Sequence, residues 1–456
     1  MNHPPSVSAP LYASEAKIYA RGASGRYARL RVASMTALLG AYYLLPWLQW
    51  QGRPLVLFDL PARRFHLLGL TLFPQDLFLL AALLVVAALT LFLFTTLAGR
   101  LWCGFACPQT VWTEAFMWME RLAEGERHQR QKLDRGGWNT MKIARKSAKH
   151  AMWASFALFT GLTFVAYFIP ARALFNDAAS LSLAGWPLFW SLFYGFATWG
   201  NAGFMREQVC KYMCPYARFQ SAMFDRDTLI IGYDAGRGEP RKGIAKLADL
   251  PPGDCVDCTL CVQVCPVGID IRKGLQYECI ACAACVDACD GVMDHVGKPR
   301  GLVRYTSERR DQTGAFRIVR PRLIAYGLVW LAVVGGFAAL LLTRSPIGLD
   351  VLRDRRQLFR EMDDGRIANL YTLKISNKGE APLDLQISAT RENGAALQLS
   401  DTRMRVAGSS TESLVVAALL PAEQARGVQT VHFDVRAASD PDIHQTHDAR
   451  FIGAQP

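Results

Sequence analysis

Residues 255–266 read CVDCTLCVQVCP and residues 279–290 read CIACAACVDACD. Each half has the spacing C-x2-C-x2-C-x3-C, the run in which bacterial ferredoxins bind one 4Fe–4S cubane through three cysteines and send the fourth to the other cubane. The spacing predicts two clusters, one on Cys255, Cys258, Cys261 and Cys289, the other on Cys279, Cys282, Cys285 and Cys265. Structural zinc is disfavoured, because zinc sites pair cysteines across longer loops rather than gathering three within seven residues. Pro266 closes the first run as in ferredoxins. Asp290 closes the second, an exchange that bears on local polarity and potential without changing the ligand count.

Outward from this stretch, the 456 residues are 51% hydrophobic and 11% aromatic, with the apolar side chains gathered in long uncharged runs, as in membrane proteins. The formal charge of +12 does not point to nucleic acid: the cations flank those runs and no nucleic-acid motif accompanies them. All 12 cysteines lie between residues 103 and 289, and their regular spacing marks ligand thiolates on the reducing, cytoplasmic side rather than a secreted disulfide framework. None of the eight histidines (His3, His66, His128, His150, His295, His432, His444, His447) falls within an apolar run, so paired intramembrane haem ligation is excluded. Gly236-Arg237-Gly238 lacks the strand and helix of a dinucleotide fingerprint, and there is no Walker A run. Electrons are expected from a partner or a small donor.

Five apolar runs, at about 32–50, 76–97, 151–170, 181–204 and 323–343, each approach the ~20 residues that cross a bilayer. Lysine and arginine set the sidedness: residues 121–150 hold nine and 298–322 eight, against Arg172 alone in 171–185, while 51–75, with three arginines, fits less well. Residues 1–31 lack a signal-peptide core and read as a cytoplasmic tail, which puts both cysteine-bearing segments inside and everything after residue 344 outside. The expected division is a tail at 1–31, a membrane domain at 32–230 with spans one to four, a cytoplasmic ferredoxin-like α+β domain at 231–322, a fifth span at 323–343, and a periplasmic domain at 344–456. In that last domain apolar residues alternate (Tyr371, Leu373, Ile375; Leu383, Leu385, Ile387; Leu414, Val416; Val431, Phe433, Val435) around a turn at Asn377-Lys378-Gly379. Such a pattern predicts an all-β immunoglobulin-like sandwich without a disulfide, a packing or docking module rather than a catalytic one.

Two further pairs, Cys103-Gly104-Phe105-Ala106-Cys107-Pro108 and Cys210-Lys211-Tyr212-Met213-Cys214-Pro215, stand at the cytoplasmic ends of spans two and four as an internal repeat. Their i, i+4 spacing is expected to put both sulfurs on one helical face, with each span ending at its pair because proline disfavours helix before it. Trp112, Phe116 and Met119 after the first pair, and Tyr216, Phe219 and Met223 after the second, read as interfacial helices whose aromatics anchor at the membrane surface. If spans two and four are neighbours, the four thiolates converge on a site for Cu(I), zinc or an iron–sulfur centre; two structural pairs or a redox disulfide are the alternatives.

RLWCGFACPQTVWTEAF at 100–116, CKYMCPYARFQSAMFDRDTLI at 210–230, RGEPRKG at 237–243 and CVQVCPVGIDIRKGLQYECIACAACVDACDGVMD at 261–294 closely resemble the CcoG family, also called FixG or RdxA. These are bacterial inner-membrane accessory proteins for assembly of the cbb-type cytochrome oxidase. The resemblance extends from KIYARGASGRYARLR at 17–31 to NLYTLKISNKG at 369–379; Ala20 stands where the family motif has proline, and Asp290 is a family trait. It implies two 4Fe–4S clusters, a periplasmic immunoglobulin-like domain, and a cupric reductase that supplies Cu(I) for the oxidase's copper centre. Cys103, Cys107, Cys210 and Cys214 become the candidate copper site, with copper as substrate or transient ligand. Implied partners are the lipid bilayer, an unidentified electron donor, copper chaperones or transporters and oxidase assembly components; no nucleic acid is implied, and a homodimer is left open. An electron-transfer subunit of a membrane quinol dehydrogenase shares the spans, twin motifs and cubanes but is not expected to carry the β-domain. An assembly scaffold with structural clusters is the third reading.

Overall fold

The computed structural model describes residues 17–50, 52–315, 317–354 and 357–453; residues 1–16 of the expected tail, with His3, and residues 454–456 of the expected periplasmic domain lie outside the described residues. The chain forms two compact units, one of the residues up to Leu48 with Ala87–Leu331, the other of Gln49–Val86 with Ala332 onward.

The second unit is built on alternation. Strands Gln398–Leu399, Ser410–Pro421, Arg366–Asn377 and Ile347–Arg353 form one antiparallel sheet, which Arg360–Glu361 also joins; Arg403–Val406, Leu383–Arg391, Val428–Ala437 and His444–Ile452 form the other. Inward side chains Tyr371, Leu373, Ile375, Val416, Phe433, Val435 and Phe451 are fully buried between the sheets, as period-two patterning requires. Tyr371 Oη donates to Arg450 O at 3.0 Å and Asn369 Nδ2 to Ile452 O at 2.8 Å, so the polar tips at the core edge find backbone partners on the opposite sheet. The turn at Asn377 is held by its own side chain, which accepts from Gly379 N at 3.0 Å and donates to Ala381 O at 2.7 Å. Within the stretch 51–75, read from sequence only as a loop, Val56–Asp59, Arg64–Leu67 and Leu70–Leu72 form short antiparallel strands. These belong to the same unit as the sandwich: Arg53 pairs with Glu380, and Gln75 Nε2 donates to Asp350 Oδ2 at 2.7 Å. Asp76, almost fully buried, accepts from Lys378 Nζ at 2.7 Å and from Arg344.

The first unit is helical, with the ferredoxin-like module inserted. Pro74–Ala98 and Pro321–Leu342 are long and apolar enough to cross a membrane. The other apolar runs fall on helices Arg26–Leu44, Thr140–Val165 and Gly185–Thr198, the last continuing as a π-helical turn at Trp199–Met205. Thr140–Val165 and Gly185–Thr198 approach closely because Gly161 has no side chain; a Cβ there would collide with Ser191 O and stand 2.7 Å from Gly195 N. In the module, strand Ile230–Tyr233 pairs antiparallel with Val303–Thr306, and the helices Leu260–Gln263 and Ala284–His295 each follow the second cysteine of a run.

Candidate iron–sulfur and thiolate sites

Both cysteine runs adopt the same strained loop. Asp257 and Thr259 flank Cys258 with φ of 59° and 58°, and Ala281 and Ala283 flank Cys282 with φ of 53° and 56°. Left-handed residues without a glycine are uncommon, and alternating them with ordinary ones turns successive backbone N–H groups toward one centre, the concavity that holds anionic clusters. Cys255, Cys258, Cys261 and Cys289 line one cavity. Cys265, Cys279, Cys282 and Cys285 line a second, which Cys261 also borders, with Ile231, Ile271 and Val267 forming its apolar wall. Cys261 borders both cavities, and each carries three cysteines of one run with the assigned fourth of the other, a donor set that fits a cubane. Burial pushes the Cys261 and Cys265 thiols up to about 11, and those of Cys279 and Cys289 up to about 12. Ligation must therefore displace protons, as thiolate binding to metal generally does. Cys258 alone of the twelve cysteines is exposed.

The module is fastened to the helical part by a carboxylate the sequence did not single out. Asp287, on the cluster helix between Cys285 and Cys289, accepts from Tyr27 N at 3.1 Å and Ala28 N at 2.6 Å, capping helix Arg26–Leu44 with a buried carboxylate. Asp290, at the position of the ferredoxin proline, accepts from Gly301 N at 2.9 Å and ties the run to the following loop.

The twin pairs depart from the expected helical geometry. Cys103 sits on the short helix Leu101–Phe105 and Cys107 is the N-cap of Pro108–Glu124; Cys210 sits on the π-helical turn Val209–Met213 and Cys214 is the N-cap of Pro215–Met223. Each proline thus starts the next helix, where its missing N–H costs nothing, and each pair straddles a break instead of sharing one helical face. The four cysteines lie in one neighbourhood. Burial, followed by repulsion from Cys107 and Cys103 and, more weakly, Cys214, pushes the Cys210 thiol up to about 12. Burial also raises Cys103, against the opposing pull of Arg100. Cys103 Sγ donates to Gln220 Oε1 at 3.1 Å, and the same oxygen accepts from Arg100 Nε at 3.2 Å. Among the described residues no three His, Cys, Asp or Glu side chains close tightly enough to hold a single ion.

The aromatic stripe after the first pair is core, not membrane anchor. Phe116 is fully buried and Met119 nearly so, packed with Trp153, Ala157 and Ala202, while Trp112 lies at the edge of this group. After the second pair, Phe219 is exposed and Tyr216 bonds to Thr95 at 2.7 Å. Beneath the first stripe, Glu120 is fully buried and accepts from Arg130 Nη1 at 3.0 Å and Arg206 Nη2 at 2.9 Å. Burial pushes the Glu120 carboxyl up, but Arg206 and Arg130 more than offset this and leave it below the usual range. Arg206, at φ 38°, stands between the two π-helical turns, so this ion pair fixes the backbone that leads into Cys210.

The two cysteine sets meet at Cys103. Cys103 belongs to the same buried group as Val264, Val267, Ile280 and Cys282, and a Cβ on Gly104 would stand 2.6 Å from Ile280 O and 2.8 Å from Cys282 Cα.

Eight cysteines around two cavities, abutting four more at the ends of apolar helices, define an iron–sulfur redox protein with an appended β-sandwich. Residues 205–308 match the family model described as a 4Fe–4S dicluster domain, residues 80–124 that of a 4Fe–4S binding domain, and residues 337–454 that of an IG-like fold at the C-terminal of FixG. The chain is 40% identical over 447 residues to the nitrogen fixation protein FixG of Rhizobium meliloti (strain 1021), covering 89% of this chain and 84% of that one. It is 38% identical over 461 residues to protein RdxA of Cereibacter sphaeroides, covering 97% and 94%, and 40% identical over 415 residues to protein RdxB of the same organism, covering 88% and 87%. The chain belongs to the FixG/RdxA family.

Proposed function

We propose that this chain is a membrane-bound cupric reductase of the bacterial inner membrane that supplies Cu(I) for assembly of the cbb-type oxidase. In this reading the chain crosses the membrane five times, with the ferredoxin-like module in the cytoplasm and the sandwich in the periplasm. Cys255, Cys258, Cys261 and Cys289 hold one 4Fe–4S cluster, and Cys265, Cys279, Cys282 and Cys285 the other; when bound, such clusters supply one-electron transfer. Cys103, Cys107, Cys210 and Cys214 take Cu(II) as substrate, and their soft sulfurs favour the reduced ion. Partners in this reading are a cytoplasmic electron donor, copper chaperones or transporters, and components of oxidase assembly. The observation that carries the reading is the packing of the Cys103–Gly104 turn on the Ile280–Cys282 loop, which brings a candidate substrate site against a candidate redox centre.

The test is Cu(II) addition to anaerobically purified, dithionite-reduced protein, with cluster spectra and Cu(I) recorded together. Cys→Ser at Cys103, Cys107, Cys210 or Cys214 should abolish thiolate-bound Cu(I) and leave the ferredoxin clusters intact. Replacement of Cys258 or Cys282 should keep copper binding and slow its reduction over repeated turnovers. If all four single replacements bind and reduce copper like the parent, the copper assignment fails. A second reading is favoured by one observation: the 4Fe–4S binding model at 80–124 covers Cys103 and Cys107 and none of the ferredoxin cysteines. Under it the four thiolates hold a third cluster, and iron content rises from about eight to about twelve atoms per chain.

A further inference from the structure

Between the two candidate clusters and the four-thiolate site, the approach at Gly104 is made backbone to backbone. Gly104 lies against the loop that carries Cys282: a Cβ there would be 2.6 Å from Ile280 O, 2.8 Å from Cys282 Cα and 2.9 Å from Cys282 N, all main-chain atoms that cannot swing aside as a flexible side-chain end can. Its neighbour Cys103 is buried within the group that contains Ile280 and Cys282 and is held from the other side by Gln220, itself bonded to Arg100. Cys258 lies at the opposite pole of exposure, open to solvent, in the other set of four.

We propose that Gly104 is a positioning residue, glycine because any side chain would part the Cys103 thiolate from the Cys282 loop, and that this contact fixes the order of electron flow. The set with exposed Cys258 receives, and the set Cys265, Cys279, Cys282 and Cys285 delivers. The inference rests on the copper reading and deepens it. Cys265, Cys279, Cys282 and Cys285 would hold a 4Fe–4S group that, when bound, would supply the one electron by which Cu(II) at the thiolates becomes Cu(I), with no protein bond broken and no proton transferred. The electron is replaced through the Cys258 set by a one-electron carrier, for which dithionite substitutes in the assay.

The experiment uses full-length, cluster-loaded protein with cobalt(II), a paramagnetic, redox-stable thiolate ligand acceptor, as the probe at the four-cysteine site. Relaxation of the reduced cluster signals by cobalt reads proximity without turnover. Cobalt should act strongly on the cluster left in Cys258→Ser and weakly on the one left in Cys282→Ser. Gly104→Ala should weaken the coupling and slow cluster reoxidation by Cu(II) on the order of tenfold or more, as small misplacements of reacting groups do, with cluster potentials and Cu(I) affinity unchanged. Gly291→Ala, whose Cβ meets nothing within 4 Å, is the control and should behave as the parent. Parent-like coupling and rate in Gly104→Ala overturn the inference, as does stronger cobalt coupling to the Cys258-side cluster, which remains measurable even if Gly104→Ala fails to fold. Absence of a cobalt–thiolate absorption band in the parent overturns the copper reading and the inference together.

Discussion

Glu120 carries more than its share of the helical unit. It has no exposure, and it neutralises Arg130 and Arg206, which are also buried, while the nearby Glu124 takes Lys149 at 2.8 Å and Lys146 at 3.0 Å. Breaking one partner of a buried ion cluster leaves uncompensated charge, so Glu120→Gln should lose about 3–5 kcal/mol of stability by denaturant titration, since two guanidiniums would face an amide. An unchanged midpoint would contradict that assignment. The pH dependence has a definite sign. Asp134 is pushed up by burial but held below the usual range by bonds from Lys146, Tyr19 and Lys17, and Glu120 is likewise depressed. Depressed carboxylates contribute stability above their unfolded values, near pH 4, and lose it as pH falls through the folded ones. The thermal midpoint of the helical unit should therefore be level from pH 7 to about 5 and drop below about 4. None of this was legible in the sequence: the cations of 121–150 read as topology charges, and only the fold reveals that Arg130, Lys142 and Lys149 are buried. Loop composition reports charge, not where the carboxylates come from.

Elements divide by how local their determinants are. The cluster loops were legible because thiolate spacing is a covalent ruler, whereas the left-handed residues at Asp257, Thr259, Ala281 and Ala283 carry no compositional signal; glycine would have announced them. The sandwich was legible through period-two alternation. The stripe Trp112, Phe116, Met119 was misjudged because an amphipathic helix looks the same whether its apolar face meets lipid or protein, and the partner, Trp153, lies on a distant segment. The twin pairs fall at breaks between helices, and their expected shared helical face failed because proline was counted as a terminator and not as the first residue of the next helix. The crossover of the fourth cysteines belongs to this scale. Cys265 lines the cavity of Cys279, Cys282 and Cys285, which Cys261 also borders, and Cys289 that of Cys255, Cys258 and Cys261. Cys265→Ser should perturb the cluster of the second run and Cys289→Ser that of the first, read by separate magnetic resonance signals in single-cluster backgrounds. Loss confined to the cluster of the mutated run would refute it.

At the scale of the whole chain, contacts within each unit restrict how many times the membrane can be crossed between their partners. Tyr27 and Ala28 bond to Asp287, so residues 28 and 287 share a side and an even number of crossings separates them. Gly104 packs on the Ile280–Cys282 loop, which makes the count between them even as well. Asp76 bonds to Lys378 and Arg344, and Arg53 to Glu380, so the 51–75 segment shares a side with the sandwich. Four crossings from residue 28 to 287, two from 105 to 280 and four from 76 to 344 meet all three conditions with the five expected spans. Of the three arginines in 51–75, Arg53 is paired within its own unit. Under the five-span reading, oriented by the lysine and arginine bias, a reporter fused at residue 140 should be active only in the cytoplasm, and reporters at 60 and 400 only outside. Asp76→Asn strips the carboxylate from Arg344 and Lys378 and should cost the sandwich unit about 3–5 kcal/mol while leaving both reporters on their side, because the apolar runs and not this ion cluster set the crossings. Opposite-side activity at 60 and 400 would break the parity argument, since those two positions are held in one packed unit.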